Sequence, residues 1–165
     1  MSKQVLEGLR WLPKWTIKKY ANDADAKAGK AYEVSEFEGN LLTNAGMNRI
    51  WELVCGDAVD DLATAPVLIV GTGSGAATVN DVEGTFTSGV KVAVDGSYPT
   101  FGTDQKATWM ASFDGSTANQ AWNEFGLLTK ASSGVLINRK VSSQGTKISG
   151  QTWELTLEIT LSNPA

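Results

Sequence analysis

Val67 to Val70 run into Gly71-Thr72-Gly73-Ser74-Gly75-Ala76, and Asp95 closes a valine-rich stretch about twenty residues later. This satisfies the G-x-G-x-x-A pattern with a distal acid that marks dinucleotide sites. That chemistry needs a helix directly after the glycines, because the helix N-terminus holds the pyrophosphate. The next residues, Thr78, Val79, Gly84, Thr85, Phe86, Thr87 and Gly89, carry no helical stripe, so the expectation is a strand-to-strand loop and no cofactor. Asp57, Asp60, Asp61, Asp81 and Glu83 lie close enough in sequence to suggest calcium, but the twelve-residue loop with alternating oxygen ligands is absent. A solvated acidic loop without metal is expected. Paired carboxylates also invite a glycosidase reading, yet no constellation for acid and base can be nominated.

The chain has no histidine, and Cys55 is its only cysteine. A Ser-His-Asp triad, a Cys-His dyad, the common zinc sites and an internal disulfide are therefore excluded. Without a base to activate it, Cys55 reads as a small buried apolar residue at a helix end. No catalytic residue, cofactor site or metal site is expected, and the chain does not read as an enzyme.

The elements that would carry these groups are short strands. Trp15 to Lys18 and Tyr32 to Ser35 alternate, with Asn22 to Lys30 as a connecting loop, so the first forty residues read as two antiparallel strands. Thr43 or Asn44 can cap a helix over about residues 45 to 55, in which Met47, Ile50, Trp51 and Val54 recur at helical spacing and Gly56 follows. That stripe is expected to bury against a sheet. Val67 to Val70, Val90 to Val94 and Trp109 to Phe113 read as strands, and Phe125 to Leu128 with Val135 to Val141 as a hairpin. Trp153 to Leu161 alternates strictly over nine residues, with one face buried and one wet. Seventeen glycines, many beside Ser, Thr, Asn or Asp, supply turns. The fold class expected is mainly β: an antiparallel β-sandwich or jelly-roll-like barrel with that one short α-helix. Of the six tryptophans, Trp51, Trp109 and Trp153 fall on apolar sides and read as core; Trp11, Trp15 and Trp122 stay open, as exposed anchors or as a sugar-stacking platform.

Charge divides the 165 residues unevenly. Fourteen basic against eighteen acidic residues give −4, which argues against nucleic acid as a partner. No apolar run suits a membrane span or a secretory signal. Residues 1–30 hold seven basic against three acidic side chains, net +4, whereas the rest carries −8. The expected organisation is a basic N-terminal arm with a first strand over 1–30 and a single β-sandwich domain over 31–165. Such an arm could dock on an acidic protein surface, on a neighbouring copy or on nucleic acid, or remain a solvated segment.

Five stretches carry a resemblance: Asn40 to Gly46, Ser97 to Thr100, Ala121 to Leu127, Leu136 to Val141, and Gly145 to Lys147 followed by Thr152 to Thr156. In this order, over about residues 40–162, they resemble small β-rich virion structural proteins of tailed bacteriophages. The resemblance implies a non-enzymatic protein of the virion, assembled in the host bacterial cytoplasm: most directly a capsid decoration (cement) protein on the outside of the head, alternatively a tail, collar or fibre component. The partners implied are the major capsid protein or another virion protein, and further copies as a dimer or trimer. Within the shared stretches, Glu124 and Arg139 read as a cross-strand ion pair, either a folding determinant or a subunit contact. The partner-binding candidates are Arg10, Trp11, Lys14, Trp15, Lys18, Lys19, Trp122, Glu124 and Arg139. A different class, a carbohydrate-binding host-attachment module, would use open faces of Trp11 or Trp122.

Overall fold

The computed structural model describes residues 8–56 and 60–163. Ten strands and two α-helices follow in the order β1 (Arg10–Tyr20), α1 (Asp23–Lys27), β2 (Glu33–Glu38), β3 (Leu41–Leu42), α2 (Asn44–Cys55), β4 (Val67–Gly71), β5 (Val90–Ala93), β6 (Thr100–Thr103), β7 (Lys106–Phe113), β8 (Glu124–Leu128), β9 (Leu136–Val141) and β10 (Thr152–Ser162), with a 3-10 turn at Glu83–Thr85. The strands form two five-stranded antiparallel sheets, ordered β2-β1-β10-β7-β6 and β3-β9-β8-β4-β5. The fold is a β-sandwich, as the alternation of the strands implies.

The two sheets bury one main core. Trp15, Ile17, Trp109, Ala111, Phe113, Trp153, Leu155, Leu157 and Ile159 come from the first sheet; Leu68, Val70, Phe125, Leu127 and Ile137 come from the second. Trp122 sits between Phe113 and Trp153, with ring centroids 4.8 and 4.9 Å away and edge-on geometry, the arrangement that aromatic quadrupoles favour. Opposite-facing residues of β4 explain its uninterrupted apolar run. Val67 and Ile69 pack with Phe86, Leu128 and Leu136 in a second, smaller core on the other side of the sheet.

Several sequence expectations change. The 22–30 connection contains α1, capped by the Asn22 side chain accepting from the Asp25 amide. Residues 10–20 are no free arm: β1 is an interior strand, paired along its whole length with β10 and over Lys14 to Lys19 with β2. Its lysines face acids on both neighbours, Lys14 opposite Glu158 and Glu38, and Lys18 opposite Glu154. The charge contrast between the start of the chain and the rest is therefore matched inside one sheet. Residues 1–7, the remainder of the expected arm, lie outside the described residues.

Helix α2 spans the expected range and is capped as expected, with Thr43 accepting from the Gly46 amide at 2.9 Å and Gly56 in the left-handed region at φ 80°. It packs by its glycine. A Cβ on Gly46 would lie 2.8 Å from Ile137 Cα, so the helix backbone rests directly on β9. This close seat turns Met47, Trp51 and Val54 outward, and Trp51 is 67% exposed. The expected burial of that stripe, of Trp51 as core and of Cys55 does not occur; Cys55 is exposed too.

Candidate functional site

Two regions carry the side chains with the most interaction potential, and both rest on β9. In the first, Glu124 on β8 and Arg139 on β9 meet on the outer face of the second sheet. Arg139 is opposite Gly126, two residues from Glu124, so the pair is diagonal across the hairpin. Glycine at 126 leaves room above the ladder, which Phe86 fills, and the guanidinium lies 5.6 Å from the Phe86 ring centroid. Glu124 Oε2 accepts from Arg139 Nε at 3.1 Å and Nη2 at 2.6 Å. Its Oε1 accepts the backbone N–H groups of Gly73 and Thr87 at 2.6 and 2.7 Å. Arg139 Nη1 donates to Asp81 Oδ2 at 2.9 Å and to the Ala76 carbonyl, and Nη2 donates to the Gly75 carbonyl.

All five guanidinium donors are therefore engaged, and both Glu124 oxygens accept two bonds each. A buried charge that loses its water requires this degree of pairing. The two carboxylates exceed the one guanidinium by one negative charge, and the amides of Gly73, Thr87 and Thr78 face that excess. For Asp81, burial pushes the carboxyl up, but the Thr78 amide and hydroxyl and the Arg139 guanidinium outweigh it and hold it below the usual carboxylate range.

This network settles the glycine-rich motif. The amide of Gly73, which a pyrophosphate would need, already holds the chain's own carboxylate, and a Cβ at Gly71 would come within 2.6 Å of Glu124 Oε1. No helix starts after Ala76; the segment instead turns at Glu83–Thr85. A shallow cavity of about 500 Å³ lies over Thr72 to Ala76 and Arg139, but the arginine has no donor left for an anion there. The acidic loop residues are likewise dispersed. Asp60 pairs with Lys130, Glu83 with Lys91, and Asp61 accepts from the Ala63 and Thr64 amides. Asp57 lies outside the described residues. Among the described residues no three His, Cys, Asp or Glu side chains are grouped to hold a metal.

A second buried cation, Lys147, went unnoticed in the sequence. Its Nζ donates to the carbonyls of Asp114 and Thr117 and to Asn119 Oδ1 at 2.5, 3.0 and 2.7 Å, so all three ammonium protons are used. Burial pushes its pKa down. It ties the 114–119 loop to the sandwich.

The other partner-binding candidates separate by exposure. Trp15 and Trp122 are fully buried in the main core, which removes them from any surface; the Trp122 indole N–H donates to the Ala118 carbonyl at 3.0 Å. Lys19 is buried as well, donating to Glu33 and the Gln144 carbonyl and lying 4.6 Å from the Trp153 ring centroid. Glu124 and Arg139 are buried and paired with each other, so neither side chain is exposed at the surface of this chain. Lys14 bridges to Glu36 at 2.9 Å, and Trp11 is half-buried, donating to Asn40 Oδ1. Arg10 and Lys18 are exposed.

No family model, curated protein or solved structure matches the chain. Its own surface is therefore the guide, and the second region is where that surface departs from an ordinary one. Beside α2 lies an apolar groove of about 570 Å³ whose walls include Trp11, Ile50, Leu62, Trp109, Ile159 and Leu161. It opens between the helix and the end of the first sheet. Met47, Trp51 and Val54 stand exposed along the neighbouring side of the helix, with Val79, whose carbonyl accepts from the Asn44 amide, at its N-terminal end. Exposed apolar surface grouped in this way makes this face the candidate contact surface.

Proposed function

We propose that the chain is a non-enzymatic structural protein that acts by docking, and that its place is the virion of a tailed bacteriophage, as a decoration protein on the outside of the head. The observation that carries the docking part is the exposed apolar side of α2 next to an apolar groove, on a sandwich whose buried charges, among the described residues, are all hydrogen-bonded internally. The resemblance over residues 40–162 supports the virion part. A rigid β-sandwich with an apolar contact face suits a protein that bridges capsomers, because several moderate contacts across one joint resist separation together. The contact face moves from the first thirty residues to α2, since β1 is part of the sheet. The major capsid protein is the partner this reading implies.

Heads assembled without the chain and then mixed with the purified protein test this. Bound protein and raised resistance to heat and chelator are expected. Absence of binding overturns the reading, and binding confined to tails or fibres moves it elsewhere in the virion. The glycan-attachment alternative keeps the half-buried Trp11 and gains Trp51 as a more exposed ring, since Trp122 is buried. Glycan-array binding that is lost with Trp51→Ala would favour it.

A further inference from the structure

The groove beside α2 is apolar along its floor and polar at one end. That end is the turn between β6 and β7, Asp104-Gln105, which lines the groove together with Thr103. Both turn residues have positive φ, 54° and 53°, the conformation that a two-residue hairpin connection needs. Asp is accepted at the first position, but the second favours glycine, so Gln105 sits in a strained conformation. The chain itself fixes the turn in place: the Gln105 carbonyl accepts from the Leu161 amide of β10 at 2.9 Å. The two side chains take no part in that fastening. Among the described residues neither the Asp104 carboxylate nor the Gln105 carboxamide has a hydrogen-bond or ion-pair partner, and both residues are exposed.

Charge decides what can cover this end. Lys106 is the one cation in the groove wall among the described residues, and Glu158 holds its ammonium at 2.8 Å. Glu158 is also the main cause of its raised pKa, with Asp104 a smaller contributor. Asp104 and Glu158 against Lys106 leave one negative charge. Water solvates that charge while the groove is open. A partner docked over the groove removes the water, and an uncharged cover would leave the carboxylate buried and unpaired, which is strongly unfavourable. The partner must therefore bring a cation. Two neighbouring acceptors, a carboxylate and a carboxamide, suit a guanidinium better than an ammonium, because its planar fork carries five donors. A guanidinium is also weakly hydrated and stacks on aromatic rings, and Trp11 and Trp109 stand in the same walls. The groove, about 570 Å³, has the size of a site for a drug-sized ligand, which is room for that side chain beside an apolar neighbour on Ile159 and Leu161.

The geometry points to an arginine socket: the capsid partner inserts an arginine whose stem lies along the apolar floor and whose guanidinium pairs with Asp104 and Gln105. This inference rests on the docking reading above and adds to it the residue that the partner must carry. The exposed side of α2 then supplies apolar contact area, and the turn selects which partner segment fits.

Hexylguanidinium, an apolar stem with that head group, is the direct probe, titrated into the full chain and followed by the indole N–H signals of Trp11 and Trp109. Binding with a Kd of about 1 mM or tighter is expected, with hexanol at least about tenfold weaker. Asp104→Asn keeps the shape and suits the turn; it should weaken hexylguanidinium about tenfold and leave hexanol within about twofold. On heads, Asp104→Lys should lower the affinity about tenfold or more. Hexylguanidinium that binds no better than hexanol, or that binds Asp104→Asn as it binds the wild type, overturns the socket whatever the heads show. Heads that bind Asp104→Lys as tightly as the wild type overturn the capsid arginine and leave the docking reading standing. Trp51→Asp tests that reading alone: if heads bind it like the wild type, the helix side is not the contact, and the titration still decides the socket.

Discussion

Residues two apart on β9 serve opposite arrangements. Arg139 sits in a network in which each donor and both Glu124 oxygens are used, whereas the backbone at Ile137 seats a helix whose other side is uncovered. The difference follows from the forces involved. A buried polar atom without a partner costs about 1–3 kcal/mol; the Glu124–Arg139 network avoids that cost at every donor, whereas the Asn138 side-chain amide on the same strand and the indole N–H groups of Trp15 and Trp153 stay unpaired in the interior. Apolar surface left in water is tolerated by a folded domain and becomes binding energy when a second surface arrives. Closed polar centres here hold the fold, and the open apolar face is available for contact.

The sharpest way to break that contrast is Glu124→Ala. It leaves the Arg139 charge buried with one carboxylate fewer, and about 3–5 kcal/mol of stability should be lost, read from the urea midpoint. A loss under about 1 kcal/mol would mean that water reaches the guanidinium. Lys147→Met removes three bonds at once from the 114–119 loop and should cost about 2 kcal/mol in the same measurement, because the carbonyls it serves lie nearer solvent. Gly73→Ala should cost about 1–3 kcal/mol by pushing the Glu124 carboxylate from its amides, an overpacking effect.

Acid probes the same side of the contrast. Asp81 is held below the ordinary carboxylate range, and Asp114 is brought down to about 2 by the Thr117 hydroxyl and the Ser116 amide and hydroxyl. A carboxyl whose folded pKa lies below its unfolded value stabilises the protein at all pH above the unfolded value and loses that contribution as pH falls through the folded one. The melting temperature should therefore be level down to about pH 5 and fall between about pH 4 and 2. In Asp81→Asn that fall should be shallower. At the open face the effect should be smallest: Trp51→Ser should change monomer stability by less than about 0.5 kcal/mol, against the several lost at Glu124.

Local pattern made much of this visible in advance. The nine-residue alternation of β10, the Thr43 cap and Gly56 stop of α2, and the β8–β9 hairpin all depend on neighbours within a few residues. Glu124 and Arg139 could be paired for the same reason. Asp81 and the amides of Gly73 and Thr87 come from a segment 37 to 58 residues distant in sequence, and no local signal points to them. The G-x-G-x-x-A motif did contain a cue, since glycines packed under a carboxylate satisfy the same spacing as glycines under a phosphate. The outward face of α2 was illegible because periodicity reports that a stripe exists and says nothing about what covers it. Trp15 and Trp122 could not be assigned to core or surface until the sheets were stacked.

The pairing of β1 with β10 has a further consequence, in the order of synthesis. Among the described elements β1 comes earliest in the chain and its partner β10 comes latest; Arg10 opposes Ser162. Trp15 and Ile17 can be covered by β2 early, yet their own strand keeps one hydrogen-bonding edge open until β10 emerges. Completion of the first sheet therefore waits for β10, and a chain stalled before residue 152 presents an unpaired tryptophan-bearing edge to whatever else is nearby.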